Sequence, residues 1–258
     1  MFQFSVVIVC KNEEAIIGMT LQSLQDYVPD IVVYDNGSID NTIEIVKKYP
    51  VNLVQGPWEG FGKTKNKANL FAKHDWILSL DADEIPDEEM KTALTSLTIA
   101  DETTVYKLKF KNFLGTQWIR YGEWGNDKHI RLFNRKQIKW NEAEVHEQLI
   151  FPAEVIIKKL KGNILHYTMK DEADYKRKME KYAQLNAEKY FRQGKAFSRL
   201  KQWLSPAFSF IQNYFFKLGF LDGRAGLTCA KMTTYYTFLK YKRLNELRSV
   251  EQGTKNTE

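Results

Sequence analysis

The first hundred residues alternate short apolar runs with amphipathic stretches, and this alternation limits the folds open to the chain more than any other feature. Phe4 to Val9 reads as a strand, Glu13 to Gln25 as a helix, and Ile31 to Tyr34 as a strand. Asn41 to Lys48 reads as a helix whose start is marked by Ser38 and Asp40. Val51 to Val54, Lys63 to Lys73 and Trp76 to Leu80 continue the series as strand, helix and strand. Repeated β-α units of this length predict a largely parallel, doubly wound α/β sheet, and such sheets bind ligands at the carboxyl ends of their strands. Chemistry is therefore expected just after Val9, Tyr34 and Leu80.

Polar residues gather at those three places. Cys10-Lys11-Asn12-Glu13-Glu14 follows the first strand, Asp35-Asn36-Gly37-Ser38-Ile39-Asp40 the second, and Asp81-Ala82-Asp83-Glu84 the fourth. One acidic strand end is ordinarily a helix cap, because carboxylates stabilise helix N-termini. Three on one sheet edge ask for more. In an extended segment, Asp81 and Asp83 would point to the same side, ready for a divalent cation and a sugar hydroxyl.

In this order and spacing, SVVIVCKNEE, VVYDNGSIDNT and WILSLDADE resemble the family 2 glycosyltransferases of the GT-A fold. The resemblance is closer to the branch containing lipopolysaccharide-core β-1,4-glucosyltransferases, because it continues through GFGKTKNKA, GEWGNDKHIRLFNR, EVHE and Phe220-Leu221-Asp222-Gly223. It implies a Rossmann-like nucleotide-sugar-binding domain over residues 1–170 and a helical appendage over 171–258. It further implies that Asp35 contacts uracil, Asp81 the ribose and Asp83 a Mg²⁺ or Mn²⁺ ion, with Lys11, Glu13, Lys65 and Asn66 completing the donor site. Many relatives carry Arg-Asn where this chain has Lys65-Asn66; lysine brings the charge but not a bidentate fork. Lys63 and Lys67 are either further donor contacts or a solvated helix face.

The resemblance also places a catalytic base at Glu147, in Val145-His146-Glu147, to take the acceptor's proton in an inverting transfer. His146 orients that carboxylate, touches the acceptor, or satisfies a core hydrogen bond. His166 is implied as a metal ligand, although a lone histidine near a strand end is more often a packed structural residue. Trp124 is assigned to the acceptor side. Gly115, Gly122 and Gly125 lie among Trp118, Tyr121 and Trp124, which fits either a mobile loop closing over sugars or a hairpin packed by its aromatics.

The net charge of +6 is concentrated. Residues 192–248 hold eleven Lys or Arg against Asp222 and Glu246, together with twelve of the 35 aromatics. Leu200, Leu204, Phe208, Ile211 and Phe215 recur at helical spacing, while Pro206, Gln212, Asn213 and Lys217 interrupt the run too often for a membrane span. Two readings follow: interfacial helices on an anionic membrane surface, with Lys201, Lys217, Lys231, Lys240, Lys242 and Arg243 at the headgroups, or helices packed on the core or on a second subunit in a homo-oligomer.

Cys10 and Cys229 have no metal spacing and suit a reducing compartment, and the N-terminus reads as a first strand without an export signal. The expectation is a cytoplasmic enzyme, peripheral on the inner face of the cytoplasmic membrane, moving a hexose such as glucose from a UDP-sugar to a glycan or lipid-linked acceptor such as lipopolysaccharide core. The alternatives are a catalytically inactive relative and a nucleic-acid-binding protein using the basic, aromatic segment. The second leaves the DADE and VHE carboxylates without a purpose, so nucleic acid is not an expected partner. A nucleotide pyrophosphorylase would need a Gly-rich loop after the first strand, where CKNEEA has no glycine.

Overall fold

The structure, a computed structural model, describes residues 2–99, 101–142, 148–169, 171–195 and 197–255. The elements in chain order are β1 (Ser5–Cys10), α1 (Ile17–Leu24), β2 (Asp30–Asp35), α2 (Thr42–Val46), β3 (Asn52–Gln55), α3 (Phe61–Asn69), β4 (Trp76–Asp81), β5 (Glu84–Pro86) and α4 (Glu88–Thr95). They continue with β6 (Thr104–Leu114), β7 (Gln117–Trp118), β8 (Lys128–Asn134), β9 (Lys139–Trp140), β10 (Leu149–Ile150), β11 (Ile156–Lys159) and β12 (Ile164–Met169). Three helices close the chain: α5 (Glu172–Arg192), α6 (Arg199–Ile211) and α7 (Gly223–Lys255).

The chain divides into two compact units. The first comprises residues 1–110 and 128–166, and the second residues 111–127 and 167–258. The second unit thus starts slightly before the expected boundary at 170 and also takes in a stretch from the middle of the chain. The reason is local: 111–127 is a hairpin whose hydrogen bonds go to the C-terminal helical region, as set out below.

In the first unit, β1 and β2 are apolar nearly throughout because both faces of the sheet are covered. Val6 and Ile8 pack with Ile17, Leu21 and Leu24 of α1 in one cluster, while Val7 joins Ala68, Ala72, Phe133 and Trp140 in another. The strand order β3-β2-β1-β4 is parallel, and β1 pairs with both β2 and β4. Sequence order therefore reverses between β1 and β4, which makes a crevice at their carboxyl ends. The register sets Cys10 opposite Asp35 and Val9 opposite Asp81, so both carboxylates stand at that edge.

Beyond β4 the order runs β8-β6-β12-β5, with antiparallel pairing of β4 to β8, β8 to β6, and β12 to β5. The last of these pairings sets His166 opposite Glu84. At the other end of the parallel strands, Asp30 accepts from Ser5 Oγ at 2.6 Å and from the Lys73 backbone at 2.8 Å, a buried network that ties elements together.

In the second unit, Gly115, with φ of 58°, turns β6 into β7, pairing Phe113 with Trp118. The chain beyond β7 is strapped by Asp222. This buried carboxylate accepts from the backbone N–H groups of Arg120 at 2.9 Å and Tyr121 at 2.8 Å. Gln117 Nε2 donates to the Asp222 carbonyl at 3.1 Å, and the Gly122 N–H to the Lys217 carbonyl at 2.9 Å. The aromatics are packed too: Trp124 lies 4.9 Å from Tyr175 between ring centres, and Arg120 stacks at 4.5 Å on Trp118. A packed hairpin, the second of the two sequence readings, is what these residues form.

Gly226 allows the start of α7 to approach the preceding turn, since a Cβ there would meet the Gly219 carbonyl at 1.8 Å. Asp222→Ala should lower unfolding stability by about 1–3 kcal/mol in urea titrations, because two buried N–H groups lose their acceptor. Asp222→Asn, which keeps an acceptor oxygen, should lose less. Equal stability of the alanine variant and wild type would show that the strap contributes nothing.

Candidate active site

The site is assembled from three strand-end loops. After β1, Asn12 takes a left-handed conformation at φ of 58° and locks onto the loop after β2. Its N–H donates to Ser38 Oγ at 2.8 Å, and its Oδ1 accepts from the Ile39 N–H at 2.9 Å. The Glu13 N–H donates to Thr42 Oγ1 at 2.7 Å. Asp35 is fully buried and accepts from the Gly37 and Ser38 N–H groups, each at 3.0 Å, and from the Ser38 hydroxyl. Its carboxylate builds the loop, while Lys11, on the neighbouring loop, is exposed.

After β4 the chain turns at Ala82 and Asp83, so this segment is not extended and the two aspartates do not share one direction. The Asp81 N–H donates to Glu84 Oε2 at 3.0 Å, and the Ala82 carbonyl accepts from Thr20 Oγ1 of α1 at 2.6 Å. Asp81 meets two cations: Lys65 Nζ at 3.3 Å from α3 and Arg131 Nη2 at 3.1 Å from β8. Arg131 also pairs with the fully buried Glu84. Asp83 meets His166 instead, Nε2 to Oδ1 at 3.5 Å.

These contacts set the charges. Desolvation would raise the Asp81 carboxyl, but Lys65 and Arg131 outweigh it and hold Asp81 well below the usual carboxylate range. Burial pushes Glu84 up to about 7, with Arg131 opposing and the Asp81 charge assisting. Burial would lower His166, yet its hydrogen bond to Asp83 and the charges of Glu84, Asp83 and Asp81 raise it. Asp81 is thus an ionised acceptor at a half-open site, its side chain 40% exposed.

The expected donor residues separate into groups. Lys65 and Asp81 are brought together, with Lys65 also 4.9 Å above the Trp140 ring. Asn66 is spent on β9: its Nδ2 donates to the Trp140 carbonyl at 2.8 Å and its Oδ1 accepts from the Trp140 N–H at 3.0 Å. Lys63 and Lys67 lie on the solvated face, paired with Glu142 at 3.4 Å and Glu59 at 3.0 Å. Trp124 belongs to the second unit. Glu147 and His146 lie outside the described residues. Sequence reading missed Arg131 and Glu84. The available signal was Arg131 between Ile130 and Leu132 in a strand, since a buried charge in such a run needs a partner.

Comparison with known proteins identifies the family. Residues 5–151 match the model of Glycosyl transferase family 2, more than half of the chain. The chain belongs to that family, with a GT-A-type α/β fold and a C-terminal helical region. Among its relatives is the lipopolysaccharide core biosynthesis glycosyltransferase LpsC of Rhizobium meliloti, 28% identical over 91% of this chain and 89% of that one. An uncharacterized glycosyltransferase of Rickettsia typhi is 27% identical over 96% of this chain and 88% of its own length. Among solved structures, Staphylococcus aureus TarS 1-349 in complex with UDP matches with a TM-score of 0.47 and 18% identity, over 98% of this chain and 92% of that one.

Proposed function

We propose that this glycosyltransferase is an inverting hexosyltransferase that uses a divalent metal and a UDP-sugar, UDP-glucose by preference. Its acceptor is a glycan or lipid-linked saccharide such as lipopolysaccharide core, met at the inner face of the cytoplasmic membrane. The observation that carries the reading is the pairing of Asp83 with His166 at 3.5 Å beside the Asp81, Lys65 and Arg131 cluster, at the crevice between β1 and β4. The relative involved in lipopolysaccharide core biosynthesis supports the acceptor class.

A carboxylate and an imidazole suit Mg²⁺ or Mn²⁺. Among the described residues no three His, Cys, Asp or Glu form a cluster that could hold a metal; Asp83 and His166 would be the ion's two protein ligands. Such an ion would neutralise the charge gathering on the departing diphosphate. Asp81, kept ionised by its two cations, accepts from ribose hydroxyls. Lys65, beside Asp81, supplies positive charge to the donor's diphosphate. The loop after β2 that Asp35 builds borders the base, and Lys11 and Glu13 stand on the adjoining loop after β1. Glu147 removes the acceptor's proton on the face opposite the leaving group, with His146 and Trp124 on the acceptor side.

Hydrolysis of UDP-glucose, UDP-galactose, their N-acetyl forms and GDP-mannose, with and without Mn²⁺, tests the donor. Asp83→Asn should weaken Mn²⁺ activation by on the order of tenfold to a hundredfold or more, since even groups one layer outside a metal site change affinity that much. A wild type indifferent to EDTA, or a variant with unchanged Mn²⁺ half-saturation, would refute the metal role.

A further inference from the structure

The α6 helix packs along α7 yet leaves most of its large apolar side chains uncovered. Only Pro206 on it is buried, while Leu200, Trp203, Leu204, Phe208 and Ile211 are between 45% and 67% exposed. The apolar surface continues into the following turn, where Phe215 is 53% and Phe216 76% exposed. Spacings of three and four residues put Leu200, Leu204, Phe208, Ile211 and Phe215 on one stripe. Scattered exposed apolar residues are ordinary, but a contiguous stripe of large ones marks a docking surface.

The charge around the stripe identifies the occupant. From residue 189 to residue 221 there is no Asp or Glu, but there are six cations: Lys189, Arg192, Lys195, Arg199, Lys201 and Lys217. Arg199, Lys201 and Lys217, on or next to the stripe, are exposed. A second copy of this face would set cation against cation across a two-fold axis, which disfavours self-association here. No helix among the described residues is long and apolar enough to cross a membrane. At 13 residues, α6 is about 20 Å long, short of the roughly 30 Å hydrocarbon core.

Two basic residues of α7 are less suited to headgroups than their sequence suggests. Lys240 lies against the rings of Tyr190, Tyr236 and Tyr241 at 5.2, 5.3 and 5.2 Å, and burial lowers its pKa. Arg243 pairs with Glu246 at 3.0 Å.

We propose that α6 and the turn after it lie in the interface of an anionic lipid bilayer, with the Leu200 to Phe215 stripe facing the acyl chains and Arg199, Lys201 and Lys217 at the lipid phosphates. This rests on the membrane-side reading of the enzyme but assigns the contact to one helix. Full-length protein should float with phosphatidylglycerol vesicles and much less with phosphatidylcholine vesicles, and binding should fall with salt. Leu204→Ser/Phe208→Ser should reduce flotation by on the order of tenfold or more, whereas Lys240→Gln/Lys242→Gln should change it little. Because both serines replace exposed side chains, thermal melting should be unchanged. Brominated lipids should quench a share of tryptophan emission that disappears in Trp203→Phe.

Flotation that survives the serine pair but is lost in the α7 pair would overturn the α6 assignment and leave the membrane reading standing. No flotation by wild type would overturn both. A salt-insensitive dimer that the serine pair converts to monomer would show a second copy to be the occupant.

Discussion

Glu147→Gln should leave nucleotide-sugar affinity within about twofold of wild type while lowering sugar transfer by on the order of a hundredfold or more. The amide keeps the shape and hydrogen-bonding capacity of the carboxylate and loses only its basicity. A base acts on the acceptor's proton as the new bond forms, so its removal falls on kcat and spares the donor complex. Calorimetry of UDP-glucose binding beside a transfer assay separates the two quantities. Loss of donor binding in the variant would make Glu147 a binding or metal residue.

Arg131→Met should destabilise the protein by about 3–5 kcal/mol in chemical denaturation, the largest stability effect expected of a single change near the site. Arg131 is buried against Asp81 at 3.1 Å and against Glu84, which has no exposure at all. Deleting the guanidinium strands the fully buried Glu84 carboxylate and leaves the half-exposed Asp81 with Lys65 alone, whereas deleting charges on both sides costs less. Arg131→Met/Glu84→Gln should therefore recover a substantial part of the loss. A double variant as unstable as the single one, or a single variant within about 1 kcal/mol of wild type, would show that the pair is not a buried electrostatic unit.

The parallel half of the sheet was legible because both faces of β1, β2 and β4 are covered, which forces continuous apolar runs between polar strand ends. Helix boundaries were less so. Glu13 to Ile16, expected as the first turn of α1, is instead a turn in which the Glu13 carbonyl accepts from both Ile16 and Ile17, and Glu13 and Glu14 donate backbone bonds to Thr42 and Asp40. Those partners lie more than twenty residues away, beyond the reach of local periodicity. The same limit hid the path β8-β6-β12-β5, whose pairings carry Arg131 to Asp81 and His166 to Asp83.

Within the site, residue types were readable but directions were not. Asp81 and Asp83 look alike on paper, and the turn at Ala82 sends one to a lysine and an arginine and the other to a histidine. Lys240 misleads in the opposite way. A lysine in a basic run reads as solvated, yet three tyrosines enclose it.

The Asp222 strap has a consequence for the order in which the protein acquires its structure during synthesis. Its acceptor oxygen lies 102 and 101 residues beyond the two backbone groups it serves. At ribosomal rates of about 5 to 20 residues per second, the hairpin waits on the order of 5 to 20 s after emerging before its strap exists. Throughout that interval the Arg120 and Tyr121 N–H groups have only water to satisfy them.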